Sequence, residues 1–356
     1  MINSLPCIFS TLLIKRSLLT IFLTALVLRI TYSISLYFSI GMEAFLVEDS
    51  ALYVQLASNF VSQADFVRAI GNTGQYIDET ERMPLYTIWL ALHQLIASSS
   101  NVLFPALTQG ILDSVACILI AQTGALMDRR LLFPVGLVAA FNPTQIIVSN
   151  MILTDSMFFF FVCLMFYASA QWLTNPKINT IMLLGLAVGL GLSTRVIMLP
   201  ILPALVLFLP IALIFLKKYK FALVLHLFLF LIIALAIQAP IITRNINTYD
   251  SINLTSQGGT HSMLWVAPLI LEAKNGTPHK DGAKQIQARY ERHTRGAEPN
   301  NPFVRSKLMS SVAWQYITDL GWEASLKAWA IGAAINIFSP AIILSPEVSN
   351  LPRTGF

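Results

Sequence analysis

Charged side chains stand at the edges of several long apolar segments in this chain of 356 residues. The acids are Glu48, Asp49 and Asp155, and the arginines are Arg82, Arg195 and Arg244, the last followed by Asn245. A carboxylate can take a proton from a hydroxyl group, and a guanidinium binds phosphate through paired N–H donors. If these groups lie at one depth of a membrane, they indicate an anionic ligand with a general base beside it.

The composition predicts an all-α polytopic membrane protein. Hydrophobic residues make up 56% and charged residues 12%, whereas soluble proteins have about 25% charged residues. The mean hydropathy is +0.68. A spanning helix needs about 20 mostly apolar residues. We predict spans at 17–40, 105–127, 131–149, 156–173, 181–194, 196–216, 221–239 and 328–344.

The run 84–98 is apolar but short, and the basic residues decide how it is placed. Short cytoplasmic loops are enriched in lysine and arginine. The basic clusters Lys15-Arg16, Arg129-Arg130 and Lys217-Lys218-Lys220 fall on one side only if 84–98 does not cross. We therefore predict a juxtamembrane helix on the outer surface there. The short span at 181–194 either extends backwards to Ile178 or stops short of the outer surface.

This topology brings the charged groups of the opening paragraph to one face of the membrane. The segments predicted outside are 41–104, 150–155, the turn near Arg195, and 240–327. The first of them is rich in acids, which the positive-inside rule tolerates outside. It also contains an amphipathic helix that is predicted to begin near Ser50 and to include Tyr53.

The acids have structural alternatives to catalysis. Glu48 and Asp49 suit the N-terminus of the helix that begins near Ser50, and Asp155 suits the N-terminus of the next span. Capping does not exclude catalysis, so both interpretations stay open for each carboxylate.

The arginines have alternatives as well. Arg82 and Arg244 can anchor the chain at the interface, and Arg195 can mark a turn between two apolar runs. Arg29 lies inside the first predicted span and needs a partner or a wet cavity. No partner is evident from the sequence, and we predict a structural role for this residue.

Several kinds of site are not indicated. The five histidines are scattered, and the sequence has neither a phosphate-binding P-loop nor a glycine-rich dinucleotide fingerprint. Cys7, Cys117 and Cys163 have no spacing typical of disulfides or metal ligands.

A set of motifs resembles the GT-C superfamily of membrane glycosyltransferases, especially the protein O-mannosyltransferases and the aminoarabinose-transferase-like proteins. The motifs are an acid four residues before Tyr53, Arg-x-Pro-Leu-Tyr at 82–86, "FNPTQIIVSNMILTDSMFFFF" (141–161), "LLGLAVGLGLSTRVIMLP" (183–200) and "QAPIITRNINTYDSINLTSQGG" (238–259). They occur in the family's order over roughly residues 15–270. Many relatives read Asp-Glu where this chain has Glu48-Asp49.

The resemblance implies a GT-C-like transmembrane bundle with juxtamembrane helices and an extracytoplasmic loop region. The donor would be a sugar linked to a dolichyl or undecaprenyl phosphate, transferred with inversion outside the cytoplasm. The acceptor would be a protein, a lipid or a glycan, and nucleic acid is not expected as a partner. The protein would reside in the lipid bilayer of the cytoplasmic membrane, the inner membrane of a bacterium.

The resemblance also assigns roles to residues. Asp49 is expected to be the general base. Asp155 would position the acceptor, tune Asp49 or help hold a divalent metal, and no other cofactor is implied. The donor phosphate would bind to Arg82, Arg195 and Arg244. The supporting residues would be Glu48, Tyr53, Tyr86 and Asn245.

The predicted organisation is a transmembrane core at 1–240, an extracytoplasmic region at 241–327 and a last span within 328–356. The chain ends soon after that span, so we expect a longer parent and keep a non-catalytic relative as an alternative. A transporter or flippase for an anionic lipid or solute is a further alternative, because intramembrane charges and broken helices mark transporters. Acids near one surface favour the transferase.

Overall fold

The computed structural model describes residues 5–47, 49–71, 74–99, 101–218, 221 and 223–339, with side chains from residue 13 onward. The protein is 79% helical with almost no sheet, which confirms the predicted all-α class. The α-helices of the first 238 residues are α1 Leu5–Ser39, α2 Ser50–Gln63, α3 Pro84–Ile96, α4 Leu103–Met127, α5 Leu132–Ala140, α6 Pro143–Val148, α7 Asp155–Thr174, α8 Ile178–Thr194, α9 Ile201–Phe215 and α10 Leu223–Ala236. Those that follow are α11 Ala239–Tyr249, α12 Gln257–His261, α13 Ala267–Asn275, α14 His279–Thr294, α15 Pro302–Leu320 and α16 Trp322–Phe338.

Short elements connect these helices. There are 3₁₀ turns at Met42–Phe45, Arg129–Leu131 and Val196–Met198, and a π-helical turn at Ser262–Val266. The strands β1 Val67–Ala69 and β2 Tyr76–Asp78 pair antiparallel, with Val67 opposite Asp78.

Four helical segments of the described chain are long and apolar enough to cross a membrane. They are Leu13–Ser39, Leu103–Met127, Asp155–Thr174 and Val196–Phe215. A fifth is added if α10 and α11 are counted as one broken span, and α8 is a shorter apolar helix of 17 residues. These helices fit an integral membrane protein by length and composition. α8 begins at Ile178, so the first of the two alternatives for 181–194, the backward extension, is the one observed.

The prediction of one continuous span at 131–149 is wrong. The segment forms α5, with nine residues, and α6, with six, separated by Phe141 and Asn142. The Asn142 side chain accepts hydrogen bonds from the backbone of Thr144 and Gln145, which caps α6. Pro143 has no N–H to continue the first helix. The apolar content of 131–149 therefore did not reveal that one helix ends and another begins within the segment.

Two other predicted segments differ in extent from the observed helices. α3 has 13 residues, too few for a span, as expected for the juxtamembrane helix at 84–98. α16 begins at Trp322, six residues before the predicted span at 328–344, and residues 340–356 lie outside the described part of the chain. α16 is not among the helices long and apolar enough to cross a membrane.

The chain folds as two compact units. The first contains the described residues up to Asp78 together with Met83–Gln238, and the second contains Glu79–Arg82 and the described residues from Ala239 onward. We call them the first unit and the second unit. The second unit has its own core, in which Met263, Ile286, Tyr290 and Val312 are buried together.

Glycines let two helices of the first unit approach closely. A Cβ atom on Gly185 would lie 3.1 Å from the Phe230 carbonyl oxygen, and one on Gly189 would lie 3.1 Å from the Cα of Ala234. The spacing of four residues places both glycines on the face of α8 that meets α10. The absence of a side chain at these two positions therefore allows the backbones of α8 and α10 to approach closely.

The buried charge of Arg29 has a partner on another helix. Its Nε and Nη2 atoms both lie 2.5 Å from Oδ2 of Asp113 in α4, and both side chains are 0% exposed. Nη1 donates to the backbone oxygens of Ala25 and Ala140. The guanidinium thus joins α1 to α4 and to the end of α5, which agrees with the structural role predicted for Arg29.

Removing one member of this pair should destabilise the protein more than removing both. Arg29→Met leaves the Asp113 carboxylate buried without its countercharge, and we expect a loss of about 3–5 kcal/mol in the free energy of unfolding. The double variant Arg29→Met/Asp113→Leu should recover part of that loss. Thermal unfolding in detergent micelles measures both. Losses that simply add across the two single variants would contradict the pairing.

Candidate functional site

The first unit brings Asp155 and Arg195 into contact. Asp155 is the first residue of α7, and Arg195 follows the last residue of α8. Nη1 of Arg195 lies 2.5 Å from Oδ1 of Asp155, and each side chain is 41% exposed. An acid at a helix N-terminus and a cation at a helix C-terminus are both favourable positions. The guanidinium carbon also lies 5.8 Å from the ring centre of Phe158, within cation–π distance.

Two tyrosines, one in α2 and one in α3, form an aromatic wall near this pair. The rings of Tyr53 in α2 and Tyr86 in α3 meet edge to face, 5.3 Å apart. Tyr86 is fully buried, and burial raises its pKa well above the usual value, with smaller contributions from Tyr53 and from the negative charge of Asp155. Tyr86 is therefore a neutral hydrogen-bond donor that lies within electrostatic reach of Asp155.

Asp49 stands at the N-terminus of α2. Its backbone oxygen accepts from the Tyr53 amide at 3.2 Å, so it lies one turn before the tyrosine pair. Its side chain is exposed and makes no capping hydrogen bond to the described amides of α2. Its position at the N-terminus of α2 still suits the helix dipole, so the structural alternative stays beside the predicted catalytic role. Glu48 lies outside the described residues.

A backbone hydrogen bond connects the segment before α2 to the loop before α7. The Ile152 amide donates to the Phe45 oxygen at 2.9 Å. Phe45, Ile152, Tyr53 and Tyr86 belong to one buried hydrophobic cluster. The carboxylates of Asp49 and Asp155 thus stand at the starts of two helices whose preceding segments share a core.

Arg244 and Asn245 lie in the second unit, where they bind protein atoms. The guanidinium of Arg244 donates to the Glu79 oxygen at 3.0 Å and to Oδ1 of Asn245 at 3.0 and 2.9 Å. Asn245 is 0% exposed and donates to the oxygens of Asn253 and Leu254. These bonds hold segment 79–82 and the loop after α11 against that helix.

Arg82 belongs to the same unit. Its backbone amide donates to Oε1 of Glu79 at 3.0 Å. Binding of a donor phosphate by Arg82 and Arg244 stays a prediction.

The geometry draws attention to two residues that sequence reasoning missed. Asp113 is the partner of Arg29, and Gln109, one turn earlier in α4, is also completely buried. The sequence contained a signal for both residues. Gln109 and Asp113 are four positions apart inside an apolar span, so they lie on one face of the helix. Within the part of the chain that the structure describes, no group of three or more His, Cys, Asp or Glu residues is placed to hold a metal ion.

A scan of the chain against protein-family models gives no match, and a search of curated proteins gives none either.

The partly exposed ion pair should contribute little to stability. Exposed pairs typically contribute about 0–1 kcal/mol, so Asp155→Asn and Arg195→Gln should each lower the free energy of unfolding by at most about 1 kcal/mol. Arg289→Gln is a matched control, because Arg289 pairs with Asp319 at 2.8 Å on the exposed surface of the second unit. Melting temperatures in micelles give the comparison. A loss as large as that of Arg29→Met would assign the pair a mainly structural role.

Proposed function

We propose that this chain is a membrane glycosyltransferase of the GT-C type. In this proposal it transfers a sugar from a polyprenyl-phosphate donor to an acceptor hydroxyl on the extracytoplasmic face of a bacterial cytoplasmic membrane. The observation that carries the proposal is the Asp155–Arg195 pair, accessible at the ends of two helices and close to Tyr86. In this pair a guanidinium, a group suited to bind an anion, lies next to a carboxylate.

The proposed reaction is a single inverting displacement. The acceptor oxygen forms a bond to the anomeric carbon while the bond from that carbon to the phosphate oxygen breaks, and the phosphate leaves with the electron pair. Asp49 takes the proton of the acceptor hydroxyl. No acid is needed for the leaving group, since a phosphate is stable as an anion.

Arg195 is the proposed donor-phosphate ligand. A guanidinium held in place can neutralise the charge that develops on the departing phosphate. Asp155 holds one of its nitrogen atoms, and the side chain of Arg195 is still 41% exposed. In this arrangement Asp155 orients Arg195 and does not itself accept the proton.

Asp49 suits the base role by position. Its side chain is exposed at the start of α2, and this start is joined through Tyr53 to the aromatic wall. A positioned base typically contributes about 10²–10⁴-fold to the rate of such a step.

The test is donor consumption by the purified protein with a panel of polyprenyl-phosphate sugars and hydroxyl acceptors. Asp49→Asn should lower kcat by about 10²–10⁴-fold, because amide oxygen is a poor proton acceptor. Asp65→Asn is the control: it makes the same charge change at an exposed position of the same loop and should keep the parent rate. Equal rates for Asp49→Asn and the parent would remove the base assignment. A parent that consumes none of the donors would remove the transferase proposal.

Transport of an anionic lipid or solute is the second candidate, and the buried pair Arg29–Asp113 is the observation in its favour. Charges inside spans often line transport pathways. Both side chains are 0% exposed, however, so they pack between helices and do not face an open passage. Movement of a fluorescent polyprenyl phosphate across proteoliposomes, by a parent protein that consumes none of the sugar donors, would replace the transferase with a transporter.

A further inference from the structure

Gln109 connects three parts of the first unit through one buried side chain. It lies in α4 and is 0% exposed. Its Oε1 accepts from the Tyr86 hydroxyl at 2.6 Å. Its Nε2 donates to the Ser149 oxygen at 3.1 Å and to the Met151 oxygen at 2.7 Å. The amide thus makes three hydrogen bonds to groups outside its own helix.

Two of these bonds hold the loop that leads to Asp155. Residues 149–154 connect α6 to α7 without belonging to either helix. Buried carbonyl groups in such a loop need partners from elsewhere, because no helical ladder supplies them. Gln109 is the hydrogen-bond partner of two of these carbonyls, those of Ser149 and Met151. The amide of Ile152, on the same loop, donates to the Phe45 oxygen.

The third bond orients Tyr86. Its hydroxyl is directed at Gln109, while its ring packs edge to face on Tyr53. The same amide therefore sets both the position of the loop before Asp155 and the position of the aromatic wall beside it.

We infer that Gln109 is a positioning residue, which fixes Asp155 and through it the guanidinium of Arg195 relative to Tyr86. Its role in transfer rests on the proposed function, whereas its hold on the loop does not. It acts through the carbonyls of Ser149 and Met151 and makes no contact with a substrate. Displacement of a catalytic group by about 1 Å can lower a rate about 10²-fold, so a positioning amide can matter as much as a group that contacts substrate.

Gln109→Met tests the inference, because it keeps the length of the side chain and removes all three bonds. We expect kcat for donor consumption to fall by about 10–10²-fold with a smaller change in KM. Gln109→Glu should recover part of the rate, since a neutral carboxyl keeps one donor and one acceptor. It also serves as the variant of choice if Gln109→Met does not fold. Gln145→Met is the matched control: Oε1 of Gln145 is buried without a hydrogen bond among the described residues, and the parent rate should be retained.

A double-mutant cycle separates positioning from general stability. If Gln109 acts through Asp155, Gln109→Met should have little further effect on kcat in an Asp155→Asn background. A general loss of packing would lower the rate by the same factor in both backgrounds. Additive effects would therefore overturn the inference.

Cysteine labelling tests the inference without any catalytic activity, so it still applies if the proposed function is wrong. Leu153→Cys, in a background whose three native cysteines are alanine, reports the exposure of the loop to a water-soluble maleimide. Gln109→Met should speed this labelling several-fold, and Gln145→Met should not. Unchanged labelling would overturn the inference whatever the activity. Faster labelling in a protein that consumes no donor would end the transferase proposal and leave the hold of Gln109 on the loop established.

Discussion

The packing of the first unit depends on one constraint: a charge inside an apolar bundle must be neutralised by groups close to it. Arg29 satisfies it with Asp113 and with the backbone oxygens of Ala25 and Ala140. One turn further along α1, the Ser33 hydroxyl donates to Oδ1 of Asn150. Leaving a charge or an amide unpaired in such surroundings would lower the free energy of unfolding by several kcal/mol. These contacts therefore allow few alternative arrangements of α1 against its neighbours.

Buried amides extend the same constraint to the start of α7 and the end of α8. Gln109 binds the loop before Asp155, and Gln238 donates to the Gly189 oxygen at 2.7 Å and accepts from Ser193 at 3.2 Å. Each amide reaches carbonyl groups of a neighbouring segment. The ends of α7 and α8, where the candidate site lies, are therefore held by polar contacts as well as by the close packing of α8 on α10.

Sequence reasoning identified elements and candidate residues better than it identified contacts. The edges of apolar runs pointed to Asp155 and Arg195 separately, and the structure shows that they bind each other. The break at Asn142 was missed, because hydropathy averaged over 131–149 outweighs a two-residue capping signal. Asp113 was missed for a similar reason, since one acid hardly changes the mean hydropathy of a span of 25 residues.

The sequence by itself determined the helical class, most helix positions and the residue types able to do chemistry. These properties are local: a helix satisfies its own backbone, and its apolar length is read directly from the chain. Only the tertiary structure decided which polar groups meet, such as Arg29 with Asp113 across 84 positions and Asp155 with Arg195 across 40. Such pairs depend on helix rotation and packing, because a buried polar group takes whichever partner the neighbouring helix presents at its depth.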